Sequence, residues 1–306
     1  MCWLKLRVMN KYVRLNYFFL HTKIKIPVIM IACSLQIISC NLINSSEPIP
    51  AYVHIDSISF SSIDPLHQGS GSHKITDAWV YVDGNIVGTF ELPATFPVLS
   101  SGSHKITIRP GILINGIAAT RTNYPFYTGF DTVVNFVSDK TNTVFPHSVY
   151  LTFPAAFCSQ LEDFDQTGTT LVKTSNSDTT INQVLDPFCF EGQSGKVYLD
   201  ASHTFFECAS KDSFPLPLSV PVYMELDYRS DNEFTIGMIT YTFSHIYVDN
   251  IVTFKATDHW KKEYVNLGPT VNATANAFGY KIFIKATKSA ALTNATLYFD
   301  NIKVIH

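Results

Sequence analysis

Acidic residues are missing from the first 39 positions, which carry six basic side chains (Lys5, Arg7, Lys11, Arg14, Lys23 and Lys25). Missing too is an apolar run of the ~20 residues that a helix needs to cross the hydrocarbon core. The candidate, Ile26 to Ile38, is shorter and is broken by Ser34 and Gln36, which argues against a spanning helix. There is no C-x-x-C pair, so the cysteines do not read as a zinc or redox centre. H-E-x-x-H, G-x-S-x-G and a glycine-rich phosphate loop after a strand are absent as well, which removes the sequence support for the common hydrolase and nucleotide chemistries. Of 22 basic and 25 acidic residues, the six basic ones in the first 39 positions leave 16 against 25, a net charge near −9 for the remainder. Nucleic acid, which demands clustered Lys and Arg, is therefore not an expected partner. Electrostatic attraction to anionic lipid is equally disfavoured.

What is present begins with the leader. A positive segment followed by a short apolar one is the layout of an export signal. Its end, Ile37-Ile38-Ser39-Cys40, resembles a bacterial lipobox. That resemblance implies transfer of diacylglycerol to the Cys40 thiol and cleavage between Ser39 and Cys40. The leader is then residues 1–39 and Cys40 the lipidated N-terminus; Met9 is an alternative start that leaves the cut unchanged. Two or three acyl chains hold a protein on a membrane far better than one. Residues 40–50, polar and punctuated by Pro48 and Pro50, read as a tether. The motifs resemble those of Bacteroidota-type bacteria. An outer-membrane lipoprotein is expected, on the periplasmic side or the cell surface; the segment Asn41-Leu42-Ile43-Asn44 lacks the acidic cluster of their surface lipoproteins, which favours the periplasmic side.

Beyond the tether no segment sustains a 3.6-residue apolar period. Short runs rich in β-branched and aromatic residues alternate with Gly, Asn, Asp and Pro, as in Trp79-Val80-Tyr81-Val82 before Asp83-Gly84-Asn85. The expected fold class is all-β, with two β-sandwich domains over 51–154 and 155–306. In the first, Ala78 to Gly88, Leu92-Pro93-Ala94 and Gly102-Ser103-His104-Lys105-Ile106 resemble a PEGA-type module. The resemblance covers about 35 residues, and implies a surface or spacer domain without catalytic residues. It departs from that pattern at Phe90-Glu91 and in the continuation from Gly111 to Pro154. The heptamer Ser-Gly-Ser-His-Lys-Ile-Thr occurs at 70–76 and again at 101–107, and reads as two similar strand openings. A zinc site from His73 and His104 would have no third ligand.

In the second domain, Glu162-Asp163-Phe164 opens the segment, Gly192-Gln193-Ser194-Gly195-Lys196 follows, and Asp300-Asn301-Ile302-Lys303-Val304 closes it. This order resembles the jelly-roll carbohydrate-binding modules. The resemblance implies that the first and last strands are neighbours, and that Glu162 or Asp163, main-chain oxygens near Ser194 to Lys196, and Asp300 hold a structural calcium, a cation suited to several oxygen ligands. For a ligand site, Trp260 is the leading candidate, because it sits among polar residues. Tyr223, Glu225 and Asp227 alternate onto one face of a strand, with Met224 and Leu226 on the other. Packing is the competing role for Trp260 and for the Tyr124-Pro125-Phe126-Tyr127 cluster. Glu162 and Asp163 are adjacent in sequence, so they project to opposite sides of an extended strand, which is poor geometry for acid/base partners. Cys158, Cys189 and Cys208 allow one disulfide or none. The expected function is ligand binding, with a polysaccharide as ligand and without catalysis. The alternative is a structural partner of a cell-envelope protein assembly.

Overall fold

Short, alternating apolar runs dominate this chain, and each becomes a strand with one face turned to a core. The computed structural model describes residues 47–306; the leader, Cys40 and most of the tether lie outside the described residues. The N-terminal half contains β1 (Ala51–Ile55), β2 (Ser59–Ser61), the helical turn α1 (Pro65–Gln68), β3 (Asp77–Val82), β4 (Asn85–Glu91) and β5 (Ala94–Val98). It continues with β6 (Gly102–Leu113), β7 (Arg121–Asn123), β8 (Phe130–Phe136), β9 (Thr141–Thr143) and β10 (His147–Val149). Strand orders are β5-β1-β9 in one sheet, β4-β3-β6-β7 with β8 also on β6 in a second, and β10-β2 in a short third. Alternate residues of the two larger sheets, among them Val53, Val80, Phe96, Ile106, Ile108 and Phe136, form one buried cluster, as a two-layer sandwich requires. The β3–β4 hairpin closes through Asp83 (φ 49°) and Gly84 (φ 81°), the two positive-φ positions that a two-residue turn of this hand needs.

The two copies of the heptamer fold differently. Residues 102–107 run as strand β6, whereas residues 70–76 form no strand. The first copy is drawn away from a sheet by its partners in the C-terminal half: Ser72 Oγ donates to Asp227 Oδ1 (2.9 Å) and the Lys74 N–H to Tyr264 Oη (2.9 Å).

The C-terminal half holds β11 (Cys158–Glu162), β12 (Leu171–Lys173), β13 (Asn182–Val184), β14 (Ser194–Leu199), β15 (Phe205–Ser210) and β16 (Tyr223–Ser230). It ends with β17 (Phe234–Tyr241), β18 (Ile246–Phe254), β19 (Thr257–Asn266), the helix α2 (Gly268–Ala273), β20 (Gly279–Thr287) and β21 (Ala295–Ile305). Two sheets, β13-β14-β21-β16-β19 with β11 also on β21, and β12-β15-β20-β17-β18, face each other across a large core that includes Val197, Phe206, Met224, Leu226, Ile236, Ile282 and Phe299. The first strand β11 pairs antiparallel with the last, β21, placing Glu162 opposite Ile302. The all-β expectation holds: the described residues are strands and loops, with two short helical pieces.

One irregularity in β21 decides which of its side chains reach the core. Asn301 takes a left-handed conformation (φ 48°), and the β16–β21 register shifts between Glu225 and Asp227. This bulge re-phases β21, so that Phe299 and Ile302 both reach the core while Asp300 and Lys303 project from the opposite face. That face does not meet water. A third cluster, in which Tyr124, Phe126, Tyr127 and Tyr150 pack with Tyr223, Tyr264 and Ile305, joins the two halves. Residues Pro50–His306 thereby form one compact unit.

Candidate functional site

Tyr223, Glu225 and Asp227 do share one face of β16, with Met224 and Leu226 in the core on the other. Their face is the seam between the halves, and all three are buried. Glu225, fully inaccessible to solvent, accepts hydrogen bonds from Tyr124 Oη (2.7 Å) and Tyr150 Oη (2.8 Å). It also faces Lys262 Nζ at 3.2 Å and Lys303 Nζ at 4.0 Å. Burial alone would raise its carboxyl; the two ammonium groups and two hydroxyls outweigh that and hold it below the ordinary range. Lys303 donates to Gln68 O (2.6 Å) and Tyr150 Oη (3.0 Å), and burial pushes its ammonium pKa down. Glu225 is therefore a structural counter-ion, and Tyr223 a packing residue against Tyr124 (5.3 Å between centroids). Neither is placed to touch a ligand, in contrast to the expectation from strand alternation. Alternation names the face but not what covers it.

Trp260 lies where the seam opens into a cleft of about 340 Å³. It stands on β19, half-buried. Its indole Nε1–H donates to Phe188 O (2.9 Å), and its ring tilts against Phe190 (5.3 Å, 50°) and Tyr298 (6.3 Å, 62°). The loop that supplies Phe188 and Phe190 is held by Asp186. Its carboxylate takes hydrogen bonds from the Phe188 N–H (2.9 Å), Lys196 Nζ (3.0 Å) and Tyr298 Oη (2.9 Å). Asp227 reaches the cleft from the seam, accepting from Ser72 Oγ and from Asn301 Nδ2 (3.1 Å). Lys74, ion-paired with Glu263 at 2.9 Å, comes from the first heptamer copy and also lines the cleft. The cleft thus combines two aromatic rings with a ring of hydrogen-bonding and charged groups, the makeup of a small-molecule site.

The acids expected to hold calcium do not form such a set. Glu162 is buried and accepts from the Phe164 N–H (2.9 Å), the Thr170 N–H and Thr170 Oγ1 (2.8 Å). Asp163 accepts from the Asp165 N–H (3.2 Å), capping a turn. Asp300 accepts from Ser194 Oγ (2.8 Å), the Asn301 N–H (2.8 Å) and the Glu191 N–H (3.4 Å). Burial raises the Asp300 carboxyl to about 7, with the neighbouring Asp227 adding to the effect. Strand pairing brings the first and last strands together as expected, and both carboxylate oxygens of Glu162 and of Asp300 accept from internal donors. Among the described residues no group of three or more His, Cys, Asp or Glu converges for a metal. His104 is engaged with Asp83 (2.6 Å) and His73 with Gly71 O (2.9 Å). Cys158, Cys189 and Cys208 are free thiols, with Cys208 in the core; burial pushes the Cys158 and Cys208 thiols up to about 12.

Lys262, Lys303, Ser72, Lys74 and Phe190 were not expected at a site. A lysine between apolar neighbours, Ile302-Lys303-Val304, is the signal that could have marked Lys303, since lysine is almost never fully buried without a partner; Lys262 stands in a polar stretch and carries no such signal.

No protein-family model and no curated protein matches the sequence. Among solved structures, the chain is similar to the CBM22-1 and GH10 modules of Clostridium thermocellum xylanase 10B complexed with xylohexaose, at 14% identity and a TM-score of 0.38, over 48% of this chain and 28% of that one. It is similar to a CBM22-2 xylan-binding domain from Paenibacillus barcinonensis (12% identity, TM-score 0.36, 47% and 97% coverage). A family 11 carbohydrate-binding module of a Clostridium thermocellum cellulosomal cellulase shows a similar likeness (13%, 0.34, 48% and 93%).

Proposed function

We propose that this protein is an exported, lipid-anchored glycan-binding protein of the cell envelope that performs no catalysis. The observation that carries the reading is the Trp260 cleft. A half-buried indole, its N–H fixed by Phe188 O, presents a flat apolar surface beside hydroxyl, imidazole, carboxylate and ammonium groups. A sugar ring offers the matching pair of surfaces, an apolar face of C–H groups and a rim of hydroxyls. The N-terminal half, with its PEGA-like β3–β4 hairpin, acts in this reading as the spacer that also supplies one wall of the cleft. Anchoring rests on Cys40 and places the protein at the outer membrane, on its periplasmic side or the cell surface. Calorimetric titration of the full chain with soluble polysaccharides, beside a Trp260→Ala variant of matched stability, is the deciding experiment. Binding that the variant loses supports the reading; hydrolysis of any polymer, or binding indifferent to Trp260, overturns it.

A second reading, a structural partner of an envelope assembly, draws on a different place. Phe243, Ile246, Val248 and Phe278 are exposed about the β17–β18 hairpin, whose strand β18 ends its sheet. Exposed apolar patches of this kind mark protein interfaces. A Phe243→Asp variant that still binds glycan but no longer co-purifies with an envelope partner would favour it.

A further inference from the structure

Strand β18 ends its sheet with an edge that nothing covers. Among the other terminal strands, β7, β9, β12 and β13 are three residues long, β5 carries Pro97, and β19 meets the N-terminal half through Ile114 and Tyr264. Short, proline-bearing or covered edges are how a sheet avoids recruiting another strand. β18 is nine residues long and holds no Pro, Lys or Arg. The Thr242 N–H donates to His245 O (3.0 Å), and antiparallel pairing alternates from there, so Ile246, Val248 and Asn250 turn their main-chain N–H and C=O groups away from β17. Residues 246–250 are all exposed. Phe243, just before the strand, is 93% exposed, and its ring rests against Phe278 (5.0 Å between centroids). At about 200 Å² for a large side chain, the exposed parts of Phe243, Ile246, Tyr247, Val248 and Phe278 amount to roughly 600 Å², the top of the range for a monomer's largest apolar patch. Two copies that cover each other here would bury about 1,200 Å², where specific interfaces begin. Charge points the same way. No Lys, Arg, Asp or Glu lies between Glu233 and Asp249 or between Glu263 and Lys281, so on a body with more acids than bases this is an end where two copies approach without repelling.

We infer that two copies of this protein associate by antiparallel pairing of β18 with β18, which joins their sheets about a two-fold axis at Val248. That axis matches the exposed half of the strand to itself. Ile246 lies opposite Asn250 of the second copy, and Asp249, the one acid of β18, lies opposite Tyr247 of the second copy and not opposite another carboxylate. A bilayer surface would leave the edge N–H and C=O groups without partners, whereas a second strand satisfies them. The inference goes beyond the glycan-binding reading and does not depend on it. The test is sedimentation equilibrium of the full chain in density-matched detergent over a wide range of concentration, where the mass should rise from monomer to dimer and stop there. Val248→Pro removes an N–H that makes no bond within its own sheet, so the thermal midpoint should stay that of the parent. Its association should weaken at least about tenfold, because two main-chain hydrogen bonds are lost across the axis. Ile246→Lys, which charges the edge, should weaken association likewise, and it decides alone if Val248→Pro lowers the midpoint. A chain that stays monomeric throughout overturns the inference, whether the patch then takes up an envelope protein, a vesicle or nothing. A dimer that the variants leave intact also overturns it, since the contact would lie elsewhere.

Discussion

Replacing Asp300 by asparagine isolates the energetic consequence of burying a carboxyl beside Asp227. Asp300 is 1% exposed, and burial raises its carboxyl to about 7, against an unfolded value near 3.9. Between about pH 4 and pH 7 the folded protein therefore holds a proton that the unfolded chain has released. Stability must then fall as pH rises through that window, by up to about 1.4 kcal/mol per pH unit, and the loss is complete above pH 7. Integrated over the window, the term reaches about 4 kcal/mol at most. Asparagine carries no titrating proton and has no such term. Its amide oxygen can still accept from the Asn301 N–H, and the Ser194 hydroxyl can rotate to accept from its amide. Any fixed change in hydrogen bonding enters as a constant offset. The measurable quantity is the difference in unfolding free energy between Asp300→Asn and the parent chain, from urea titrations at a series of pH values between 4 and 8. That difference should rise in favour of the variant by a few kcal/mol across the window and level off above it. A difference that is flat with pH would refute the reasoning, because it would mean that Asp300 is ionised in the folded protein at the same pH as in the unfolded chain.

The seam makes a second prediction. Glu225→Gln leaves the buried Lys262 with Asp227 (3.6 Å) and Lys303 with no carboxylate within ion-pairing distance among the described residues, and the unfolding free energy in urea should drop by about 3–5 kcal/mol, the usual effect of removing one member of a buried ion cluster; a loss under 1 kcal/mol would show that the cluster is hydrated. Because the oxygens of Glu162 and Asp300 are filled by internal donors, calcium and a chelator should give the same thermal midpoint for the full chain, and a rise with calcium would restore the cation expected from the sequence. Cys40→Ala should leave the exported precursor uncleaved and shift it out of the detergent phase, whereas unchanged mature mass and membrane partitioning would place the anchor elsewhere.

Much of the fold was legible because its signals are local. The Asp83-Gly84 turn, the alternation of Met224 and Leu226 against Glu225 and Asp227, and the Asp300-Asn301-Ile302 closing strand each depend on residues within a few positions of one another. The site was less legible because its determinants are distant. Tyr124, Tyr150 and Lys303 meet Glu225 across long stretches of chain, and no periodicity announces them. An acid alternating outward on a strand looks solvated until a second layer is known to cover it. Trp260 stood out through its polar neighbours, yet Phe190 and Lys74, which complete the cleft, come from a loop and from a heptamer copy that forms no strand. The identical heptamer at 101–107 does form one, so its two shapes are decided by what each copy meets and not by its own residues.

The seam has a practical consequence for anyone who would cut the chain into modules. A fragment of residues 155–306 would retain Trp260 and Phe190 but lose Ser72, His73 and Lys74 from its binding surface. It would also uncover Tyr223 and Tyr264 and let water reach Glu225, Lys262 and Lys303. Such a fragment would be a different surface on the same scaffold, more adhesive and with its lysines rehydrated, so its ligand preferences would not report those of the intact protein. The cleft is a property of the joint and cannot be transplanted with either half alone.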